Sequence, residues 1–89
     1  MLSIKEATAK AVEYFKEMPG HSYHANSTIV EEVELTDDEK FWIITLGYPV
    51  ETAKNITDIL NPQVKKEYKT FKIYTDSGKL KSIKIRALS

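Results

Sequence analysis

Tyr68-Lys69-Thr70-Phe71-Lys72-Ile73-Tyr74-Thr75-Asp76-Ser77-Gly78-Lys79-Leu80-Lys81-Ser82-Ile83-Lys84-Ile85-Arg86 is the stretch whose reading decides the fold. Phe71 and Ile73 alternate with Lys72, and Ile83 and Ile85 alternate with Lys84 and Arg86. A period of two places successive side chains on opposite faces of a pleated strand, so each half reads as a strand with one apolar and one basic side. Between them, Asp76-Ser77-Gly78 supplies a residue that favours starting a type I turn and a glycine for the left-handed position that closes a three-residue hairpin loop. The segment is a β-hairpin with its faces already sorted.

Upstream, Ser3-Ile4-Lys5-Glu6 fits a capping box, with the Ser3 hydroxyl accepting from the Glu6 amide and the Glu6 carboxylate reaching back to Ser3. Ile4, Ala7, Ala11, Phe15 and Met18 then recur at helical spacing, Val12 and Tyr14 widen the stripe, and Pro19-Gly20 ends it. This predicts a helix over 3–18 that buries one side. In the next strand, predicted over 28–36, Ile29, Val33 and Leu35 share a parity with Glu31, while Val30, Glu32 and Glu34 share the other; the Val33 side faces inward. Thr36-Asp37-Asp38-Glu39-Lys40 is a polar turn. Phe41-Trp42-Ile43-Ile44-Thr45-Leu46-Gly47-Tyr48 is the most strand-like run in the chain and forms a central strand over about 40–48, with Trp42, Ile44, Leu46 and Tyr48 toward the helix. Pro49 stops it, residues 49–63 form a variable loop or short helix, and the closing hairpin adds strands over about 64–75 and 79–87.

The 89 residues therefore form a single α+β domain spanning 1–89: an N-terminal helix packed on a four-stranded antiparallel meander, in two layers. One helix covers one sheet face. The other, carrying Glu32, Glu34, Phe41, Ile43, Lys72, Tyr74, Lys84 and Arg86, is left solvated or as an interface.

Composition narrows the function. There is no cysteine, which removes disulfides, thiolate catalysis and thiolate metal sites. No run approaches the roughly 20 apolar residues that span a bilayer, and Met1-Leu2-Ser3-Ile4-Lys5-Glu6 carries charge too early for a secretory signal; the expectation is a cytoplasmic protein. Net charge is zero, but residues 64–89 carry eight basic against two acidic residues, and residues 1–63 carry five basic against eleven acidic. Glu32 and Glu34 are expected beside lysines of neighbouring strands, and the basic sheet face is suited to an acidic partner.

Chemistry-bearing motifs are few. His21 and His24 stand three apart after Pro19-Gly20, in a turn-like segment without a carboxylate or thiolate ligand at metal-site spacing, and nothing nucleophilic is arranged around them. Asp37-Asp38-Glu39 lacks the alternating ligands, glycine and distal glutamate of a calcium loop. Gly20, Gly47 and Gly78 read as a helix stop, a strand bend and a turn, so there is no phosphate-binding loop. Asn55-Ile56-Thr57 matches a glycosylation sequon that matters only in a secretory pathway. No catalytic residue, cofactor or metal ligand is assigned.

The order of Glu31-Glu32-Val33-Glu34-Leu35-Thr36-Asp37-Asp38, Trp42-Ile43-Ile44-Thr45-Leu46-Gly47-Tyr48, Tyr68-Lys69-Thr70-Phe71-Lys72-Ile73, Asp76-Ser77-Gly78-Lys79 and Ile83-Lys84-Ile85-Arg86 resembles small PepSY-like and cystatin-like bacterial domains. The resemblance covers the chain apart from residues 50–63. It implies one helix ahead of a curved antiparallel meander and a non-enzymatic module, associated with peptidase regulation in secreted members. The functional expectation is thus a protein-interaction or regulatory module that acts through the open face, its edge strands or the 49–63 loop, in a homodimer or with another protein. Its candidate partner-binding residues are Phe41, Ile43, Lys72, Tyr74, Lys84 and Arg86. The alternative is single-stranded nucleic acid, with bases stacked on Tyr74 beside Lys72, Lys84 and Arg86. Against it stand an isoelectric point near 6.7 and the absence of the RNA-recognition strand signature.

Overall fold

The computed structural model describes residues 1–19, 27–52 and 63–86. Helix α1 (Ile4–Glu17) precedes strands β1 (Ile29–Leu35), β2 (Phe41–Thr52), β3 (Gln63–Tyr74) and β4 (Leu80–Arg86). The strands form one sheet in the order β1-β2-β3-β4, and every pairing is antiparallel. This is the expected two-layer α+β meander. His21 and His24, the sequon at Asn55 and most of the predicted 49–63 loop lie outside the described residues.

The capping box forms as read: Glu6 N donates to Ser3 Oγ at 3.1 Å and Ser3 N donates to Glu6 Oε1 at 3.0 Å. The Ser3 amide is the main reason the Glu6 carboxyl is held below its usual range. The helix stops at Glu17 because Met18, which precedes Pro19, takes an extended conformation; a following proline disfavours the helical one. Ala7, Ala11 and Phe15 are fully buried and Val12, Tyr14 and Met18 pack partly against them. Ile4 departs from the expected stripe. It sits in the first turn and is 56% exposed, because Leu2 fills that end of the core instead. The chain before the helix is tied to the sheet by Leu2 N donating to Thr75 O (2.7 Å) and Trp42 Nε1 donating to Leu2 O (3.1 Å).

α1 packs on β2 and β3. The core there is Trp42, Ile44, Leu46 and Tyr48 from β2 with Phe71 and Ile73 from β3. Phe15 is its centre, with its ring 4.9 Å from Tyr48 and 6.4 Å, edge-on, from Phe71, spacings at which aromatic pairs attract. Buried Lys69 joins this side, its ammonium 5.9 Å from the Tyr48 ring centroid.

Three expectations about the strands are corrected. First, β2 does not stop at Pro49 but continues to Thr52, paired with β3 down to Gln63, so residues 49–52 and 63 belong to strands rather than to a loop. Thr75 N donates to Lys40 O, which sets the alternation of the ladder and turns the Pro49 nitrogen away from β3. β1 pairs with β2 only as far as Gly47, so the missing N–H of Pro49 breaks no ladder bond, as for a proline on an edge strand. Second, a bulge at Glu31 shifts the β1 register, so that Val30, opposite Leu46, rather than Ile29, opposite Gly47, shares the inner parity of Val33 and Leu35. Third, the closing turn has four residues, Thr75 to Gly78, with Gly78 N donating to Tyr74 O and Tyr74 N donating to Lys79 O. Thr75 leaves the β3–β4 ladder because its N and Oγ1 donate to the carbonyls of Lys40 and Glu39, across in the other turn. Gly78 has φ of 74°, the left-handed conformation expected of it.

Ile83 faces the helix side as expected, opposite Phe71. Ile85 has the same parity yet is 82% exposed, because α1 lies over the two central strands and does not reach this end of β4.

Candidate functional site: the open sheet face

The pairings decide which side chains share the uncovered face. Phe41 is opposite Tyr74, Ile43 opposite Lys72, Thr45 opposite Thr70 and Gly47 opposite Tyr68. On one flank, Ser82, Lys84 and Arg86 stand opposite Lys72, Thr70 and Tyr68; on the other, Glu34 and Glu32 stand opposite Ile43 and Thr45. All six candidate residues, Phe41, Ile43, Lys72, Tyr74, Lys84 and Arg86, therefore lie on one face, and no described residue from another element covers it.

Five of them gather at the end near the β1–β2 turn. Phe41 and Tyr74 form a closely spaced pair of the ladder, with ring centroids 4.8 Å apart and tilted by 48°. The Lys72 ammonium stands 4.5 Å from the Phe41 ring centroid, within cation–π range. Beside them runs a groove of about 210 Å³ lined by Ile43, Thr70, Lys72, Ser82 and Lys84. Lys72 and Lys84 form no salt bridge among the described residues. The adjoining turn is ordered by its own side chains: the Thr36 hydroxyl donates to Asp38 Oδ1 at 2.6 Å, and Lys40 N donates to the same oxygen at 3.0 Å. These two bonds, the Thr36 one foremost, hold the Asp38 carboxyl below its usual range. A capped turn accounts for Asp37-Asp38-Glu39 without a cation.

Arg86 stands apart from the other five. Its Nη1 donates to Glu32 Oε2 at 2.6 Å and to Thr45 Oγ1 at 3.1 Å, so the side chain reaches from β4 over β3 and β2 to β1. Thr45, although on the open face, is buried. Lys66 of β3 forms an ion pair with Glu31, and that carboxylate chiefly keeps its ammonium protonated above the usual range. The acidic strand was expected to meet lysines of neighbouring strands. Its partners are instead Lys66 and Arg86, beyond β2, because β2 offers no cation opposite it.

Gly47 is explained by this crossing rather than by a strand bend. A Cβ there would lie 2.7 Å from Glu31 Oε1 and 3.1 Å from Tyr68 Cε1, so glycine leaves the lane along which Glu31 reaches Lys66. Glu31, Lys66, Thr45 and Tyr68 were not singled out by sequence reading. The two adjacent glutamates, Glu31 and Glu32, were the available sign that strict alternation fails there.

Among the described residues no three histidine, cysteine, aspartate or glutamate side chains are placed to hold a metal ion, and no helix is long and apolar enough to cross a membrane. On the helix side, burial and the hydrogen bond that Tyr48 donates to Glu67 (3.2 Å) push the phenol up to about 12, so it stays neutral over the ordinary pH range. No family model, no curated protein and no solved structure matches the chain.

Proposed function

We propose that this protein is a non-catalytic interaction or regulatory module that binds an acidic protein surface through its open sheet face. The observation that carries the reading is the Phe41–Tyr74 pair with Lys72 above it and Lys84 across the groove: apolar rings edged by ammonium groups that have no salt bridge of their own among the described residues. Aromatic anchors beside desolvatable charge are what interface hot spots are made of. Arg86, already engaged by Glu32, belongs to the frame of this surface rather than to its contact centre. Kinship with PepSY-like and cystatin-like domains and a cytoplasmic setting are parts of the same proposal. The first is supported by the order of one helix and a four-stranded meander, the second by the absence of cysteine. Single-stranded nucleic acid is the less favoured ligand, because the isoelectric point is near 6.7 and the RNA-recognition strand signature is absent.

Charge reversal of Lys72 and Lys84 together (Lys72→Glu, Lys84→Glu) is the test, read by affinity capture from the native cell with the wild-type chain as reference. Loss of specific acidic partners with unchanged circular dichroism supports the reading. An unchanged capture profile contradicts it, as does salt-sensitive retention of the wild type on single-stranded DNA without protein partners.

A further inference from the structure

The two rims of the sheet carry opposite charge. β1 has Glu31, Glu32 and Glu34 and no base; β4 has Lys81, Lys84 and Arg86 and no acid. Each rim also has backbone groups that no other strand of the sheet takes up. Thr36 N donates to Phe41 O, so Glu34 and Glu32, in step with Thr36, turn their amide and carbonyl groups toward β2, and those of Val33 and Leu35 point off the sheet. On the far side Tyr74 N donates to Lys79 O, and Lys72, Thr70 and Tyr68, in step with Tyr74, face β4. Their partners Ser82, Lys84 and Arg86 are thereby satisfied, and Ile83 and Ile85 point their backbone groups outward.

We propose that the β1 rim of one copy of this chain pairs antiparallel with the β4 rim of a second copy. Val33 then stands opposite Ile85 and Leu35 opposite Ile83, with Glu32 opposite Arg86 and Glu34 opposite Lys84. Three antiparallel pairings separate β1 from β4, so copies set side by side in one orientation meet in the required sense. In this register the outward backbone groups of Val33 and Leu35 meet those of Ile85 and Ile83. The apolar side chains fall on the helix side and the charged ones on the open side. The four-residue match ends short of both bulges, Glu31 in β1 and Lys81 in β4. Sliding by two residues one way leaves Glu34 facing Ser82; sliding the other way carries Glu32 past Arg86.

Like rims repel. A symmetric β1–β1 contact sets glutamates against glutamates, and β4–β4 sets cations against cations. Charge thus selects the unlike pairing, which runs head to tail and propagates to further copies or closes into a ring. Glu32 and Arg86 already pair within one copy, so association exchanges that contact for the same contact between copies. The added gain comes from Glu34 with Lys84, from the four outward-facing residues' backbone bonds, and from covering Ile85, which is 82% exposed in the single chain. Lys84 is shared with the acidic-partner surface, whereas Phe41, Tyr74 and Lys72 stay open when the rims pair, so Glu34→Lys, which changes only the β1 rim, separates rim pairing from acidic-partner binding.

Sedimentation velocity and light scattering of the full chain over a range of concentration and salt provide the test. The wild type should show a mass above the 10.2 kDa of one chain that rises with concentration and falls as salt screens the rims. Glu34→Lys and Lys84→Glu should each lose the association with circular dichroism unchanged. An equimolar mixture of the two should regain it, since the β1 rim of the Glu34→Lys copy meets the β4 rim of the Lys84→Glu copy at one seam, and the native Glu34 and Lys84 meet at the next. Ile85→Pro should also abolish it, removing an outward N–H and no bond to β3. A wild type of single-chain mass throughout, a salt-resistant mass that stops at two chains, charge variants that assemble like the wild type, or a mixture that stays monomeric would each overturn the proposal.

Discussion

The two faces of this sheet are built from the same strands, residue by residue in alternation, and they end in opposite conditions. On the helix side Trp42, Ile44, Leu46 and Tyr48 of β2 and Phe71 and Ile73 of β3 are buried under Ala7, Ala11 and Phe15. On the open side their immediate neighbours Phe41, Ile43, Lys72 and Tyr74 are half-buried, touching one another and a groove. Aromatic residues occur on both, so composition does not separate the faces. What separates them is whether an element lies on top. The helix side converts its rings into folding free energy, whereas the rings of the open side have no covering element among the described residues.

The comparison breaks or sharpens by substitution. The largest effect is expected at Phe15, whose ring touches both Tyr48 and Phe71. Phe15→Ala should cost about 3–5 kcal/mol in urea denaturation, a large part of the stability of so small a domain. Lys84→Ala, on the other face, should stay within about 0.5 kcal/mol. A loss of similar size at Lys84 would break the comparison.

Next in size is a pH effect confined to the helix side. Tyr48 is pushed from 10.0 up to about 12 by burial and by Glu67. The unfolded chain releases this proton first, so the native state loses stability as pH rises from about 10 to about 12, and below pH 10 the contribution is intact. The difference in unfolding free energy between wild type and Tyr48→Phe should change by about 2 kcal/mol across that window. A pH-independent difference would show that the phenol is not shielded by the helix side.

The smallest effect belongs to the open face. Glu32→Gln removes the exposed pair with Arg86 and should cost about 0.5 kcal/mol or less, vanishing in about 1 M salt. A larger, salt-resistant loss would mean that the open face helps to hold the fold.

What was legible in the sequence had a local cause. The capping box at Ser3 and Glu6, the stop before Pro19, the left-handed Gly78 and the alternation in Phe71-Lys72-Ile73 each follow from residues within a few positions of one another, and the structure contains all of them. The same alternation placed the six candidate residues on one face. What was not legible depended on distant parts of the chain. Pro49 reads as a stop until the length of β1 is known, because only then is its missing N–H harmless. The bulges at Glu31 and Lys81 each insert one residue; the adjacent Glu31 and Glu32 mark the first, and no residue type announces the second. The exposure of Ile4 and Ile85 reflects where a helix of 14 residues begins and which strands it reaches. Glu31 and Glu32 found their cations beyond β2, at Lys66 and Arg86, a matter of side-chain reach across the sheet rather than of strand adjacency.

Two matched substitutions on one strand pair measure the central claim most directly: Phe71→Ala, beneath the helix, against Phe41→Ala, on the open face, each followed by equilibrium urea denaturation. A division of labour between the faces predicts a loss of about 3–5 kcal/mol at Phe71, and about 1–2 kcal/mol at Phe41 for its contacts with Tyr74 and Lys72. Equal losses, or a greater loss at Phe41, would contradict it.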